Sequence, residues 1–128
     1  MNVVDSSAWL EYFADGPNAA DFTAAIESTA ELVVPSLTLF EVFKRTCQIA
    51  DEATALAVLA TMLQGRIVEL TAPLAVQAAR VSLETGLAMA DSIILATARE
   101  HEATLWTQDA YFRGLPNVEY RAKVTPPR

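Results

Sequence analysis

Short apolar runs alternate along this chain with longer stretches in which apolar residues recur every third or fourth position, the two spacings that separate strands from amphipathic helices. Asn2 to Asp5 is short, β-branched and apolar, and reads as a strand; Ser6 and Ser7 behind it offer helix caps. Ala8 to Phe13 (AWLEYF) follows as an aromatic-rich helix that Gly16-Pro17 stops. Asp21 to Ala30 has helical spacing through Phe22, Ala25 and Ile26. Leu32-Val33-Val34 reads as a second buried strand, ended by Pro35. A helix then starts at Ser36 or Thr38 and runs to about Ala50, carrying Leu39, Val42, Phe43 and Thr46 at helical spacing with Glu41 among them.

Asp51 caps a further helix, Glu52 to Leu63, closed by Gly65. Ile67 to Leu70 is a short alternating strand, and Thr71 caps a helix from about Pro73 to Gly86. The spacing predicts another helix from about Ala90 to Glu102, a strand over Ala103 to Thr107, and an edge strand over Val118 to Arg121. The tail Thr125-Pro126-Pro127-Arg128 is expected to fray. Short strands alternating with helices indicate an α/β domain whose parallel sheet is covered by helices on both faces. There is no internal repeat, linker or shift of composition, so a single domain over residues 1–128 is expected.

Composition narrows this picture. Apolar residues make up 52% of 128, enough for a substantial core, and no run is long enough to suggest a membrane span. An acid at position 5 and no basic leader argue against a signal peptide, and the lone Cys47 excludes an internal disulfide framework and a cysteine zinc cluster. A cytoplasmic protein without membrane contact is the expectation. The net charge of −7 argues against coating nucleic acid through a broad basic surface. It leaves room for a nuclease in which Lys44, Arg45, Arg80, Arg99 or Arg113 touches the substrate. The excess acid also suits a basic protein partner.

Four acids then draw attention, because each stands among apolar residues where an element should begin or end: Asp5 in VVDSSAWL, Glu41 in LTLFEVFK, Asp91 in LAMADSIILATA and Asp109 in TLWTQDAYF. An ionised carboxylate in apolar surroundings is costly unless its charge is compensated. Taken singly, Asp5 reads equally as a helix cap, Asp91 and Asp109 as first-turn acids, and Glu41 as a solvated-face residue. As a set they ask for a shared compensator. A hard divalent cation, Mg²⁺ or Mn²⁺, takes oxygen ligands, and in an open parallel sheet the ends of distant strands meet at one rim. Carboxylates there can hold one or two such ions against a phosphate ester. Ser6 and Thr107 stand beside the acids, either holding a water or phosphate oxygen or serving as ordinary caps. His101 lies in the charged AREHEA stretch, and no phosphate-loop or nucleophile-elbow motif is present.

These residues carry a resemblance. From VVDSSAWLEYF through LTLFEVFKR and ADSIILATA to LWTQDAYF, the sequence resembles the PIN-domain ribonucleases, and within them the toxins of bacterial VapBC toxin–antitoxin modules. The family pattern places an aspartate and a small hydroxyl residue after the first strand, matched by Asp5 and Ser6. Its helix glutamate falls on Glu41, its helix-opening aspartate on Asp91, and its T-x-D pair on Thr107 and Asp109. The resemblance implies a three-layer α/β/α fold with Asp5, Glu41, Asp91 and Asp109 as metal ligands. It also implies an endoribonuclease using Mg²⁺ or Mn²⁺ that cuts structured RNA, often transfer or ribosomal RNA, and so stops translation. A homodimer is implied as well, with the aromatic helix around Trp9 to Phe13 and the Glu41 helix as its candidate surface. So is a cognate antitoxin, laying a C-terminal segment, often with an arginine, into the acidic site; an arginine there replaces the cation's charge.

Two rival expectations stand beside it. One is a phosphoacceptor receiver domain, which needs paired acids after the first strand, an aspartate ending the third and a lysine after the last. The third strand here reads IVELT and Lys123 sits in the tail. The other is an inactive PIN fold that only binds.

Overall fold

The computed structural model describes residues 1–125, so the fraying expected of Pro126, Pro127 and Arg128 lies outside the described residues. Five strands form one all-parallel sheet in the order β3-β2-β1-β4-β5: β1 (Asn2–Val4), β2 (Leu32–Pro35), β3 (Arg66–Val68), β4 (Thr104–Thr107) and β5 (Val118–Tyr120). Among the described residues six α-helices connect them: α1 (Ser6–Phe13), α2 (Ala19–Glu27), α3 (Ser36–Ile49), α4 (Glu52–Met62), α5 (Ala72–Thr85) and α6 (Met89–Glu100). The α/β/α expectation therefore holds. The receiver reading does not, because a receiver sheet runs 2-1-3-4-5, whereas here β3 is an edge and β4 lies beside β1.

Alternation along the strands builds two cores. Val3, Val33 and Leu105 point to one face, where Leu74, Ala78 and Val81 of α5 and the apolar run Ile93 to Leu95 of α6 cover them. Val4, Leu32 and Val34 point to the other, under Trp9, Phe22, Ile26, Val42, Val58 and Met62 from the first four helices. Trp9 is fully buried in this second core and stacks on Phe13 at 5.7 Å, which removes it from the subunit surface proposed for its helix. Phe40, by contrast, is 62% exposed. Among the described residues no single helix is long and apolar enough to cross a membrane.

Several boundaries differ from the expected ones for local reasons. Asp5, not Ser6 or Ser7, is the N-cap of α1: its Oδ1 accepts from the Ala8 amide at 3.0 Å, and both serines fall in the first turn. The second helix closes at Glu27, and a 3-10 turn over Thr29–Glu31 carries the chain into β2. The third strand starts one residue early, at Arg66, because Gly65 brings the backbone hard against β2. A Cβ built on Gly65 would lie 2.8 Å from Val34 Cγ2 and 3.0 Å from the Leu32 carbonyl oxygen. Gly65→Ala should therefore cost about 1–3 kcal/mol, the usual price of overpacking. A thermal melt no lower than that of the parent chain would show that β3 can move away freely.

Candidate active site

The chain runs β1, β2, β3 toward one edge, then returns to place β4 on the other side of β1. The carboxyl ends of β1 and β4 therefore flank the switch point, where open parallel sheets leave a crevice. Asp5 is the first residue beyond β1, and its amide still donates to the Trp106 carbonyl of β4 at 3.0 Å. Asp109 stands two residues beyond β4 and caps a 3-10 turn over Ala110–Phe112, accepting from the Tyr111 amide at 2.9 Å. Asp91 lies in the first turn of α6, and Glu41 on α3.

Asp5 is buried, and three donors hold its carboxylate. Ser7 Oγ and the Ala8 amide donate to Oδ1 at 2.7 and 3.0 Å, and Thr107 Oγ1 donates to Oδ2 at 2.5 Å. Burial nonetheless pushes the Asp5 carboxyl up to about 6; the donors oppose that rise, led by Thr107, and the charge of Asp109 adds to it. Asp91 is half-buried and accepts no hydrogen bond among the described residues. Its carboxyl is pushed up to about 6 as well, first by desolvation and then by the charges of Asp109, Asp5 and Glu41. The charges of all three reach Asp91, which makes the four acids one electrostatic unit although 18 to 50 positions separate each from the next along the chain.

The two hydroxyls expected beside the acids are both committed to carboxylates. Ser6 Oγ donates to Glu41 Oε1 at 2.6 Å, so it ties α1 to α3 rather than capping a helix. Thr107 is fully buried, donates to Asp5 and accepts from the Asp109 amide at 2.9 Å, joining two of the acids through one side chain. Thr107→Val should leave a buried carboxylate and an amide short of partners, at a cost of about 1–3 kcal/mol. Any activity that depends on Asp5 should fall about 10- to 100-fold, as when a ligand loses its orienting partner. Unchanged melting and activity together would mean the threonine only fills space.

Sequence reasoning missed the layer behind Asp5. The Gln108 amide donates to Ser7 Oγ at 3.0 Å, leaving the serine's single proton to point at Asp5. Gln108 Nε2 reaches the Ser7 carbonyl at 3.3 Å, while its Oε1 accepts from Asn18 Nδ2 at 2.7 Å. Asn18 in turn donates to the Ala122 carbonyl at 2.8 Å, and both amide side chains are buried. A glutamine between Thr107 and Asp109 was the available signal; Asn18 had none.

Among the described residues, no three acidic, histidine or cysteine side chains stand close enough to form a ready-made cation cage. The donor set itself still fits a hard cation. A carboxylate has about four lone-pair sites; Asp5 keeps one free on Oδ2, Glu41 and Asp109 each keep an oxygen, and Asp91 keeps both. With no imidazole or thiolate among them, the set suits Mg²⁺ or Mn²⁺, of which Mg²⁺ retains several waters and takes only one or two carboxylates directly.

Arg99, eight residues after Asp91 on α6, pairs with Glu84 at 3.4 Å and with Arg80 lines a groove of about 600 Å³ between α5 and α6. That distance along a helix, about 12 Å, takes both arginines away from the acids.

Comparison with known proteins agrees with this architecture. A chain of a toxin–antitoxin complex from Klebsiella pneumoniae superposes with a TM-score of 0.76 at 24% identity, covering 93% of this chain and 96% of that one. VapC20 from Mycobacterium tuberculosis, a sarcin–ricin-loop-cleaving toxin, superposes with a TM-score of 0.73 at 18% identity, covering 91% and 95%. A chain of VapBC2 from Rickettsia felis, bound to a DNA fragment of its promoter, gives 0.71 at 15% identity over 94% and 97%. These likenesses show the fold. Comparison with curated proteins finds no significant match. The PIN domain family model matches residues 3–117, a span that begins in β1, ends just before β5 and takes in Asp5, Ser6, Glu41, Asp91, Thr107 and Asp109: this chain belongs to the PIN-domain family.

Proposed function

We propose that this chain is a Mg²⁺- or Mn²⁺-dependent endoribonuclease acting as the toxin of a toxin–antitoxin pair. The observation that carries the proposal is the linkage of the acids beside the switch point: Ser6, next to Asp5, donates to Glu41, Thr107 joins Asp5 to Asp109, and the charges of all three raise Asp91. Family membership and likeness to a ribosomal-loop-cleaving toxin support RNA as the substrate class, in transfer or ribosomal form. Likeness to chains from toxin–antitoxin complexes supports a cognate antitoxin as the partner, and a homodimer is proposed with it.

Asp5, Glu41, Asp91 and Asp109 would hold the cation. Bound there, it would supply Lewis acidity and offset the charge that builds on the phosphoryl group. The protein's own part is positioning. Thr107 and Ser7 fix the Asp5 carboxylate in one orientation, and Ser6 does the same for Glu41. Asp91, with both oxygens free, accepts a hydrogen bond from a water lined up behind the phosphorus. That water forms the new P–O bond as the bond to the 3′-oxygen breaks, passing its proton to the Asp91 carboxylate, and the departing oxygen takes up a proton from solvent. The products are a 5′-phosphate and a 3′-hydroxyl.

This route makes no use of the ribose 2′-hydroxyl as a nucleophile. An RNA carrying a 2′-deoxy substitution at the cut site should still be cleaved with Mg²⁺ or Mn²⁺ present. Intact binding with cleavage abolished would contradict the hydrolytic route, and no cleavage of structured RNA under any metal condition would contradict the nuclease.

A further inference from the structure

Beside the acids, on the far side of Asp5's supporting residues, a cavity of about 500 Å³ opens to the surface. Ser7, which donates to Asp5, and Gln108, which donates to Ser7, line it together with Arg45 from α3 and Lys123 beyond β5. Resting on the endoribonuclease reading, we infer that this cavity is a phosphate subsite. It takes the nucleotide next to the scissile one, with Arg45 and Lys123 on its phosphate and Leu10 and Ile49 against its ribose or base.

Three observations carry the assignment. First, the cations are available. Among the described residues Arg45 forms no ion pair and its guanidinium meets only Gln48 Oε1 at 3.4 Å, and Lys123 forms none either. Second, the one acid in the lining, Glu11, has an oxygen engaged by the Asn18 amide at 2.9 Å. On a chain of net charge −7, two cations and one tethered acid make this cavity locally positive. Third, the cavity lies one layer of side chains from the acids: Ser7 and Gln108 line it, Ser7 also donates to Asp5, and Gln108 donates to Ser7. The mixed lining also matches a nucleotide, which presents an anion on one side and an apolar face on the other. Of the five cations considered from sequence, Arg45 lies at the cavity, Arg80 and Arg99 line the α5–α6 groove, and Lys44 and Arg113 line neither; Lys123, not among the five, joins Arg45.

The test is binding of a mixed-sequence single-stranded RNA to the full chain in EDTA, across roughly 50 to 200 mM salt, with cleavage of a structured RNA measured in parallel. Arg45→Ala and Lys123→Ala should each weaken binding several-fold. Each should also flatten the slope of log affinity against log salt by about 0.7, the share of one single-strand phosphate contact. The value of kcat should stay the same while KM rises. Arg80→Ala should change neither slope nor KM. Wild-type chain that binds and cuts RNA while both variants keep its full slope would overturn the subsite and leave the nuclease standing. RNA binding retained by the variants, together with loss of binding to an acidic peptide, would assign the cavity to a protein partner instead. Wild-type chain that neither binds nor cuts RNA would remove the nuclease reading itself.

Discussion

Asp91→Asn is expected to lower RNA cleavage by at least about a hundredfold, the upper end of what loss of a mere supporting partner costs, while leaving the fold as stable as before or slightly more so. Most single substitutions in a structured region destabilise, so this opposition of effects is diagnostic. It follows from the way Asp91 is held. The carboxylate accepts no hydrogen bond among the described residues, and its ionised form is opposed by desolvation and by Asp109, Asp5 and Glu41. Asparagine keeps the shape and removes the charge. Because Asp91 is only half-buried, water screens much of the repulsion, and the gain at neutral pH should be roughly 0.5–1 kcal/mol. A melt of the metal-free variant beside the parent chain checks one half, and an RNA cleavage assay the other. Marked unfolding by Asp91→Asn would instead assign Asp91 to the scaffold.

The second large effect is a gain of stability on adding Mg²⁺ or Mn²⁺, present at neutral pH and absent in acid. Asp5 and Asp91 both stand near 6 in the folded chain against an ordinary value of 3.8. A carboxyl raised in this way binds its proton more tightly folded than unfolded, so its contribution is fully present below about 3.8 and is lost as pH rises through about 6. For the deeply buried Asp5 the loss is on the order of 3 kcal/mol. The metal-free chain should therefore weaken between pH 4 and roughly 6.5 on account of these two groups. A cation that binds only the folded, ionised site should restore about 2.7 kcal/mol at a hundredfold excess over its dissociation constant. In a chain of this length that corresponds to a rise in Tm of about 10 °C. Below pH 5 the protons occupy the same oxygens and the increment should shrink toward zero. An equal increment at pH 4.5 and 7.5, or none at either, would separate the acids from any cation.

Much of this molecule was legible before any coordinates, and the reason is local. Leu32-Val33-Val34 and TLWT are short apolar runs between polar breaks, and Asp51 and Thr71 each cap the helix they precede, accepting from the Thr54 and Leu74 amides. The acids were legible because charge among apolar residues is rare enough to need a cause. What could not be read depends on pairings across the chain. Asn18 meets Gln108 ninety positions away, and Ser6 meets Glu41 across thirty-five, with no periodic signal for either. Asp5 shows why a cap and a site residue could not be told apart in advance. One oxygen caps α1 and the other faces Thr107, so both roles belong to a single side chain. Trp9 shows the converse: it and Phe40 look alike in sequence, and only packing shows one fully buried and the other 62% exposed.

The most direct test of the central claim is cleavage of total bacterial RNA by the purified chain with Mg²⁺ or Mn²⁺, mapped by sequencing the new 5′-phosphate ends. EDTA and Asp91→Asn reactions run beside it. The account predicts a few discrete ends, within transfer or ribosomal RNA, that vanish in both controls. Ends that persist in the Asp91→Asn reaction, or no ends with either metal, would contradict it and leave the four acids as a binding surface without hydrolytic chemistry.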